Sequence, residues 1–161
     1  MDPQACRAQL ARLLDEENQL LAELEQQLRR EHDFLSGNDV DSLERAGSAR
    51  QATVAKLLKL DDTRGDLCRM LGQSADRIGI AALFRWCDPT GSLAAAQSAC
   101  TQLAESCRAQ NERNGALVTA RLTRITGMLD MMASGNAART YEPGAARTTT
   151  PPAGRLVSVS A

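Results

Sequence analysis

Aromatic residues are nearly missing from this chain of 161 residues: at 2% they amount to Phe34, Phe84, Trp86 and Tyr141. A globular core ordinarily takes much of its buried area from aromatic rings. Without them, the core must be built from Leu, Ala, Val, Ile and Met, which suit narrow seams between helices better than a thick interior. The same residues, mixed with abundant Gln, Glu and Arg, are strong helix formers. Strand-like alternation occurs only from Leu156 to Val159. The composition therefore predicts an all-α fold.

Other absences narrow the function. Lys and Arg number 19 against 20 Asp and Glu, for a net charge of −1. The basic face of a general nucleic-acid binder is lacking, and so are the aromatic platforms on which single strands stack. No stretch approaches the roughly 20 apolar residues that span a bilayer. The N-terminal run MDPQACRAQLARLLDEE is charged and amphipathic, without the apolar centre of a signal peptide, so a cytoplasmic location is expected. No CxxC or Cys/His cluster exists, and the five cysteines read as reduced thiols with no metal site. Cys6, Cys68, Cys100 and Cys107 fall on or near apolar helical stripes, as small hydrophobes do. There is no nucleophile–base pair, no pair of carboxylates with a supporting context and no phosphate-cradling glycine loop, so neither an enzyme nor a cofactor is expected. The single histidine, His32, could accept a phosphoryl group in a helical phosphotransfer domain, but no lysine comes closely after it to neutralise phosphate. A solvated surface histidine is the favoured reading.

What is present is helical periodicity. A first helix is predicted from about Pro3 to Leu35, roughly 50 Å at 1.5 Å per residue, with Asp2 as a possible N-cap and Pro3 at the tolerated first position. Its stripe, Leu10, Leu14, Glu17, Leu21, Leu24, Leu28, Glu31 and Leu35, alternates steps of four and three, which is a heptad seam. Ser36-Gly37-Asn38 breaks it; Gly37 can take the left-handed terminal position, and Asn38 or Asp39 can cap a second helix. That helix runs to about Leu71 on the stripe Val40, Leu43, Gly47, Arg50, Val54, Leu57, Asp61, Arg64, Cys68 and Leu71. Its charged members predict either partial exposure or cross-helix ion pairs. The short connector folds the two helices into an antiparallel hairpin. A short helix from Ile78 to Trp86 would lay Ile80, Leu83, Phe84 and Trp86 on that hairpin, and Asp88-Pro89-Thr90-Gly91 is a turn with Ser92 as the next cap.

The last helix is predicted from about Leu93 to Ala133. Leu117, Val118, Leu122, Ile125, Met128, Leu129, Met131 and Met132 make a methionine-rich apolar surface in its C-terminal half. Such a surface either packs on the hairpin or takes an amphipathic partner segment. Upstream, Asn111 and Asn114 sit on the seam beside Gly115. They are either paired buried amides that fix register or solvent-facing amides beside a kink. The expected organisation is a helical domain over 1–135 and a disordered tail over 136–161, rich in Ala, Thr, Pro and Gly, with Tyr141 and Leu156-Val157 as sticky points.

Asn111-Glu112-Arg113-Asn114-Gly115, succeeded by an apolar helix and then Thr140-Tyr141-Glu142-Pro143-Gly144, resembles the signature of the FlgN-type flagellar export chaperones. In that family an N-x-x-N-G segment precedes the last helical stretch and a T-Y-x-x-G segment comes after it. The order of parts agrees as well: a long Leu/Glu helix, a second helix carrying Lys and Arg, a short element with Trp, and a long last helix. The resemblance implies a cytoplasmic chaperone that binds the C-terminal segments of hook-associated proteins 1 and 3, prevents their premature association and delivers them to the flagellar export ATPase complex. It places client contacts in the C-terminal region, here Leu117, Val118, Leu122, Ile125, Met128, Leu129 and Met132, with Tyr141 beside them. Asn111, Asn114 and Gly115 are expected to shape the helix. A homodimeric coiled-coil scaffold is the structural alternative.

Overall fold

The computed structural model describes residues 2–139, with side chains as far as residue 133. Of the tail expected over 136–161, residues 136–139 are helical instead, and the rest, including Tyr141 and the alternation at Leu156–Val159, lies outside the described residues. Those residues form four helices: α1 (Pro3–Gly37), α2 (Val40–Met70), α3 (Arg77–Cys87) and α4 (Ala94–Arg139). The chain divides into two compact units, Met1–Leu122 and Thr123–Ala161.

Local chemistry fixes the ends of these helices. The Asp2 carboxylate accepts from the Ala5 N–H at 2.8 Å, and Pro3 occupies the first helical position. At the other end of α1, Asn38 rather than Gly37 takes the left-handed conformation, at φ 62°. Asparagine tolerates that region because its short polar side chain bonds locally. Asp39 then caps α2 by accepting from Ser42 N–H at 3.1 Å. The last helix, predicted to end at about Ala133, does not stop there; α4 continues through Gly135 to Arg139. One internal glycine costs only about 1 kcal/mol of helix propensity, and Ala137-Ala138-Arg139 restore it.

α1 and α2 form the antiparallel hairpin. Two ion pairs, two heptads apart on both helices, set its register: Glu17 with Arg64, and Glu31 with Arg50 at 2.7 Å. The charged members of the α2 seam thus serve as cross-helix partners, except Asp61, which is exposed. Between the pairs, the buried Thr53 hydroxyl accepts from Gln27 Nε2 at 3.0 Å. The first residue expected in the α2 seam, Val40, is 67% exposed. Of the expected seam, Cys68 is fully buried and most of the others half-buried, while Thr53, Leu60, Gly65 and Leu67 are the further buried positions.

α3 closes the end of the hairpin that holds Cys6, Leu10, Leu67 and Cys68. Leu83 is fully buried there, with Ile80 and Phe84 packed beside it, as expected. Trp86 is not: it stands 45% exposed, and Cys87 takes the inward position. The reason is angular. Successive helical residues are about 100° apart, so Ile80, Leu83, Phe84 and Cys87 share an arc of about 100°, and residue 86 lies about 110° from its centre. Burial pushes the Cys6 thiol up to about 12, with hydrogen bonding to Cys87 adding to the effect. All five cysteines are buried free thiols.

Two aspartates hold α3 in place. Asp76 caps it, accepting from the N–H groups of Ile78 and Gly79, both at 2.9 Å. A Cβ at Gly79 would lie 1.8 Å from the Ser74 carbonyl oxygen, so only glycine fits against this turn. After α3, buried Asp88, rather than Ser92, organises the turn into α4. It accepts from Leu93 N–H at 2.8 Å and from the N–H and hydroxyl of Ser92 at 3.0 and 2.7 Å. The Leu93 N–H and then the Ser92 hydroxyl hold the Asp88 carboxyl below its ordinary value of 3.8; the Gly79 N–H does the same for Asp76. A depressed folded value stabilises the native state above the unfolded value, and that stability is lost as pH falls through the folded one. The near-ultraviolet dichroism of Trp86 should therefore hold on acidification to about pH 4 and collapse below it. Collapse centred near pH 6 would contradict this anchoring.

Candidate functional site

The N-terminal part of α4, as far as Leu122, runs parallel to α1, joined by a repeated polar contact. Cys100 Sγ–H donates to the Leu14 carbonyl at 3.4 Å, and Cys107 Sγ–H to the Leu21 carbonyl at 3.4 Å. Asn114 Nδ2 donates to the Leu28 carbonyl at 2.8 Å. The donors and the acceptors each advance by one heptad, so a single register spans the three contacts. Small side chains at the donor positions let the two backbones approach closely enough for these bonds.

Asn114 is 5% exposed and uses both ends of its amide. With the nitrogen given to Leu28, its oxygen faces His32 Nδ1 at 3.1 Å, so Nδ1 carries the proton and donates. His32 is thus half-buried and tied to α4, not a solvated surface residue. One heptad further, Arg121 Nη1 donates to Asn38 Oδ1 at 3.0 Å and Nη2 lies 3.5 Å from the Ser36 carbonyl oxygen. A cation is favourable there, at the negative end of the α1 dipole. The two asparagines singled out in the sequence have different places: Asn114 is buried, whereas Asn111 is exposed. α4 passes through Gly115 as continuous helix, and an added Cβ there would meet nothing.

Because α2 and α4 both flank α1, cavities succeed one another along it. The first, about 250 Å³, includes Glu17 and Arg64 and is walled by Ile80 and Phe84 of α3. The second, about 220 Å³, lies among Leu24, Leu28, Val54 and Cys107. The third, about 320 Å³, is bounded by Leu35, Leu43, Gly47, Asn114, Gly115 and Val118. The α1 and α2 contributions to this groove were not recognised as a site in the sequence. Each of those residues reads there simply as a seam position, and incomplete closure between α2 and α4 has no signature in periodicity.

Val118 opens the apolar stretch of α4. It is 41% exposed, Leu117 is half-buried, and Leu122 is exposed. In the second unit, Ile125 is 53% exposed, Met128 45% and Met132 70%, with Leu129 and Met131 similarly open. Steps of three and four place 118, 122, 125, 129 and 132 along one stripe of a helix, with 128 beside it. Isolated exposed apolar residues need no explanation, but a contiguous set marks an interaction surface. Arg124 and Asp130 lie on the same stretch, and no helix among the described residues is long and apolar enough to cross a membrane. No group of side chains suited to hold a metal ion occurs among the described residues.

Comparison with known families matches residues 1–149 to the family described as FlgN protein. The chain belongs to the FlgN family. That family consists of flagellar export chaperones rather than enzymes, and this member shares the chaperone role. No curated protein matches the chain, and no solved structure does. The family match spans all four helices, and the N-x-x-N-G segment within it now has a physical reading at Asn114. That residue is the hydrogen-bonded end of the α1–α4 ladder, immediately before the exposed apolar stripe.

Removing the Asn114 amide leaves the groups it serves unpaired in a buried seam. Asn114→Ala should lower stability by about 1–3 kcal/mol, while exposed Asn111→Ala should stay within about 0.5 kcal/mol of the parent. Urea unfolding monitored by circular dichroism measures both. Equal effects at the two positions would contradict the assignment.

Proposed function

We propose that this FlgN-family chaperone works in the cytoplasm and binds the C-terminal segments of hook-associated proteins 1 and 3 on the apolar stripe of α4. The observation that carries this reading is the exposure of Val118, Leu122, Ile125, Met128, Leu129 and Met132 along one helical stripe. An amphipathic segment supplies the complementary stripe, and methionine side chains adapt to more than one sequence, which suits a protein with two clients. Covering a subunit's terminal helix prevents the premature association to which such segments are prone. Handover to the export ATPase complex requires release, so a moderate interface on one helix serves better than a large obligate one. Tyr141 is a further contact in this reading, carried by the family resemblance of its T-Y-x-x-G segment.

The roles of the parts then separate. Asn114 sets the register of α4 on α1, Gly115 and Asn111 lie at the start of the client-binding stretch, and the stripe beyond them binds. No step needs a nucleotide, a metal or a catalytic group on this chain.

Titration calorimetry with a C-terminal peptide of a hook-associated protein from the same organism tests the proposal. The expected result is one-to-one binding with a negative heat-capacity change, weakened about tenfold or more by Met128→Asp or Ile125→Asp. Both positions are exposed, so the fold should survive the changes. Absence of binding to either junction protein, or binding indifferent to both substitutions, would sink the assignment. A stripe that instead self-associates, seen as a dimer mass abolished by Ile125→Asp, would favour the coiled-coil scaffold.

A further inference from the structure

The groove between α2 and α4 has walls whose side chains stop short of filling it. Its cavities of about 220 and 320 Å³ adjoin, since both are lined by Arg50 and Asn111. Leu24, Leu28 and Leu35 of α1 lie along the floor. From the first to the last of them is about 16 Å, or about three helical turns. One wall is Leu43, Gly47, Arg50 and Val54 of α2, and the other includes Asn111, Gly115 and Val118 of α4. Both walls advance in alternating steps of four and three, the spacing that forms holes for the side chains of another helix. The charges along the groove are already paired, Arg50 with Glu31 and Arg108 with Glu112. Shape and apolar contact, rather than charge, therefore decide what enters.

Gly47 and Gly115 line the larger cavity from opposite walls. Neither adopts the positive φ that favours glycine, as Gly72 and Gly91 do. A Cβ added at either position would meet nothing within 4 Å among the described residues, unlike the one at Gly79. Inside a helix, glycine is less stable than alanine because it has more backbone freedom to lose on folding. The fold thus carries two destabilising residues on facing walls without a steric need for either. What they provide is depth: a missing side chain on each wall opens the way to Leu35 on the floor.

We propose that a helix of the client lies in this groove and drives a bulky apolar side chain between Gly47 and Gly115 onto Leu35. The inference rests on the client-binding reading of α4 and extends it, because Val118 belongs both to the groove and to the exposed apolar stripe. The occupant is helical for two reasons. The walls have heptad spacing, and an extended segment would set unpaired N–H and C=O groups against leucines, whereas a helix satisfies its own. The client then completes a four-helix arrangement with α1, α2 and α4. The glycine pair acts as a specificity determinant, since a segment with a small residue at that point leaves the hole empty.

Calorimetric titration of the full chain with the C-terminal hook-associated peptide, repeated on Gly47→Leu, Gly115→Leu and Gly127→Leu, tests the inference. Gly127 lies on the side of α4 away from the stripe, and a Cβ there likewise meets nothing within 4 Å among the described residues. All three changes put the same side chain into a helix interior, so the gain in helix propensity is common to them. Affinity should fall about tenfold or more in both groove variants and stay at the parent value in Gly127→Leu. Their urea midpoints should equal or exceed the parent's, which a glycine needed by the fold would not allow. If both groove variants bind like the parent while Ile125→Asp does not, the client keeps to the stripe; the inference falls and the client reading stands. A midpoint lowered by Gly47→Leu would assign that glycine to the fold and overturn the inference. A dimeric parent turned monomeric by either groove variant would make the occupant a second copy, with the same consequence. A parent that binds no peptide defeats the client reading and the inference together.

Discussion

Three side chains on α4 reach for three main-chain carbonyls on α1, and the rest of the fold depends on the spacing between them. Cys100, Cys107 and Asn114 are each small enough to let the backbones close, and each has a proton to donate. A carbonyl inside a helix already accepts one bond but retains a second lone pair. Directing a thiol or amide at that lone pair satisfies the donor without breaking α1. A larger apolar residue at these positions would push the helices apart. The scarcity of aromatics fits the same constraint, because wide rings cannot enter so narrow a seam.

The seam also decides where the polar part of α4 ends and its apolar stretch begins. Two ion pairs lock α2 to α1, and the donor ladder locks α4 to α1 across the groove from α2. Arg121 fastens α4 to the C-terminal end of α1, within the apolar stretch that Val118 opens. Exposed apolar surface of that kind is a liability in a protein without a partner and an asset in one that shields another chain's apolar segment. Family membership and the stripe thus bear on the same role by separate routes. Burial works against the thiols as nucleophiles, with Cys100 raised to about 11 mainly by desolvation and then by the charge of Glu17, so the cysteines belong to packing.

Much of the architecture was legible in the sequence. Caps at Asp2 and Asp39, the hairpin and the ion-paired reading of Arg50 and Arg64 come from turn chemistry and heptad spacing, both local properties. The apolar stripe of α4 was legible for the same reason. What escaped depends on three dimensions. The inward half of α3 is held by the Asp76 cap and the tight approach at Gly79, although the spacing of Ile80, Leu83 and Phe84 alone points to Cys87 rather than Trp86. The choice between buried and solvent-facing amides at Asn111 and Asn114 rests on whether a carbonyl lies opposite, and only Asn114 has one. His32 joins that bond across 82 positions of sequence, beyond the reach of any local pattern. The extension of α4 past Gly135 reflects how little one glycine costs in an otherwise favourable helix.

The parallel register of α4 on α1 is the central claim, and paired spin labels measure it directly. The native thiols are buried, so cysteines introduced at exposed Arg12, Ser98 and Ala120 are the ones that label. Pulsed electron resonance should give a short distance for the 12/98 pair and one about 30 Å longer for 12/120, as 1.5 Å per residue along a shared axis requires. The opposite order, or equal distances, would mean that α4 does not lie on α1 in this register and would undo the account built on Asn114.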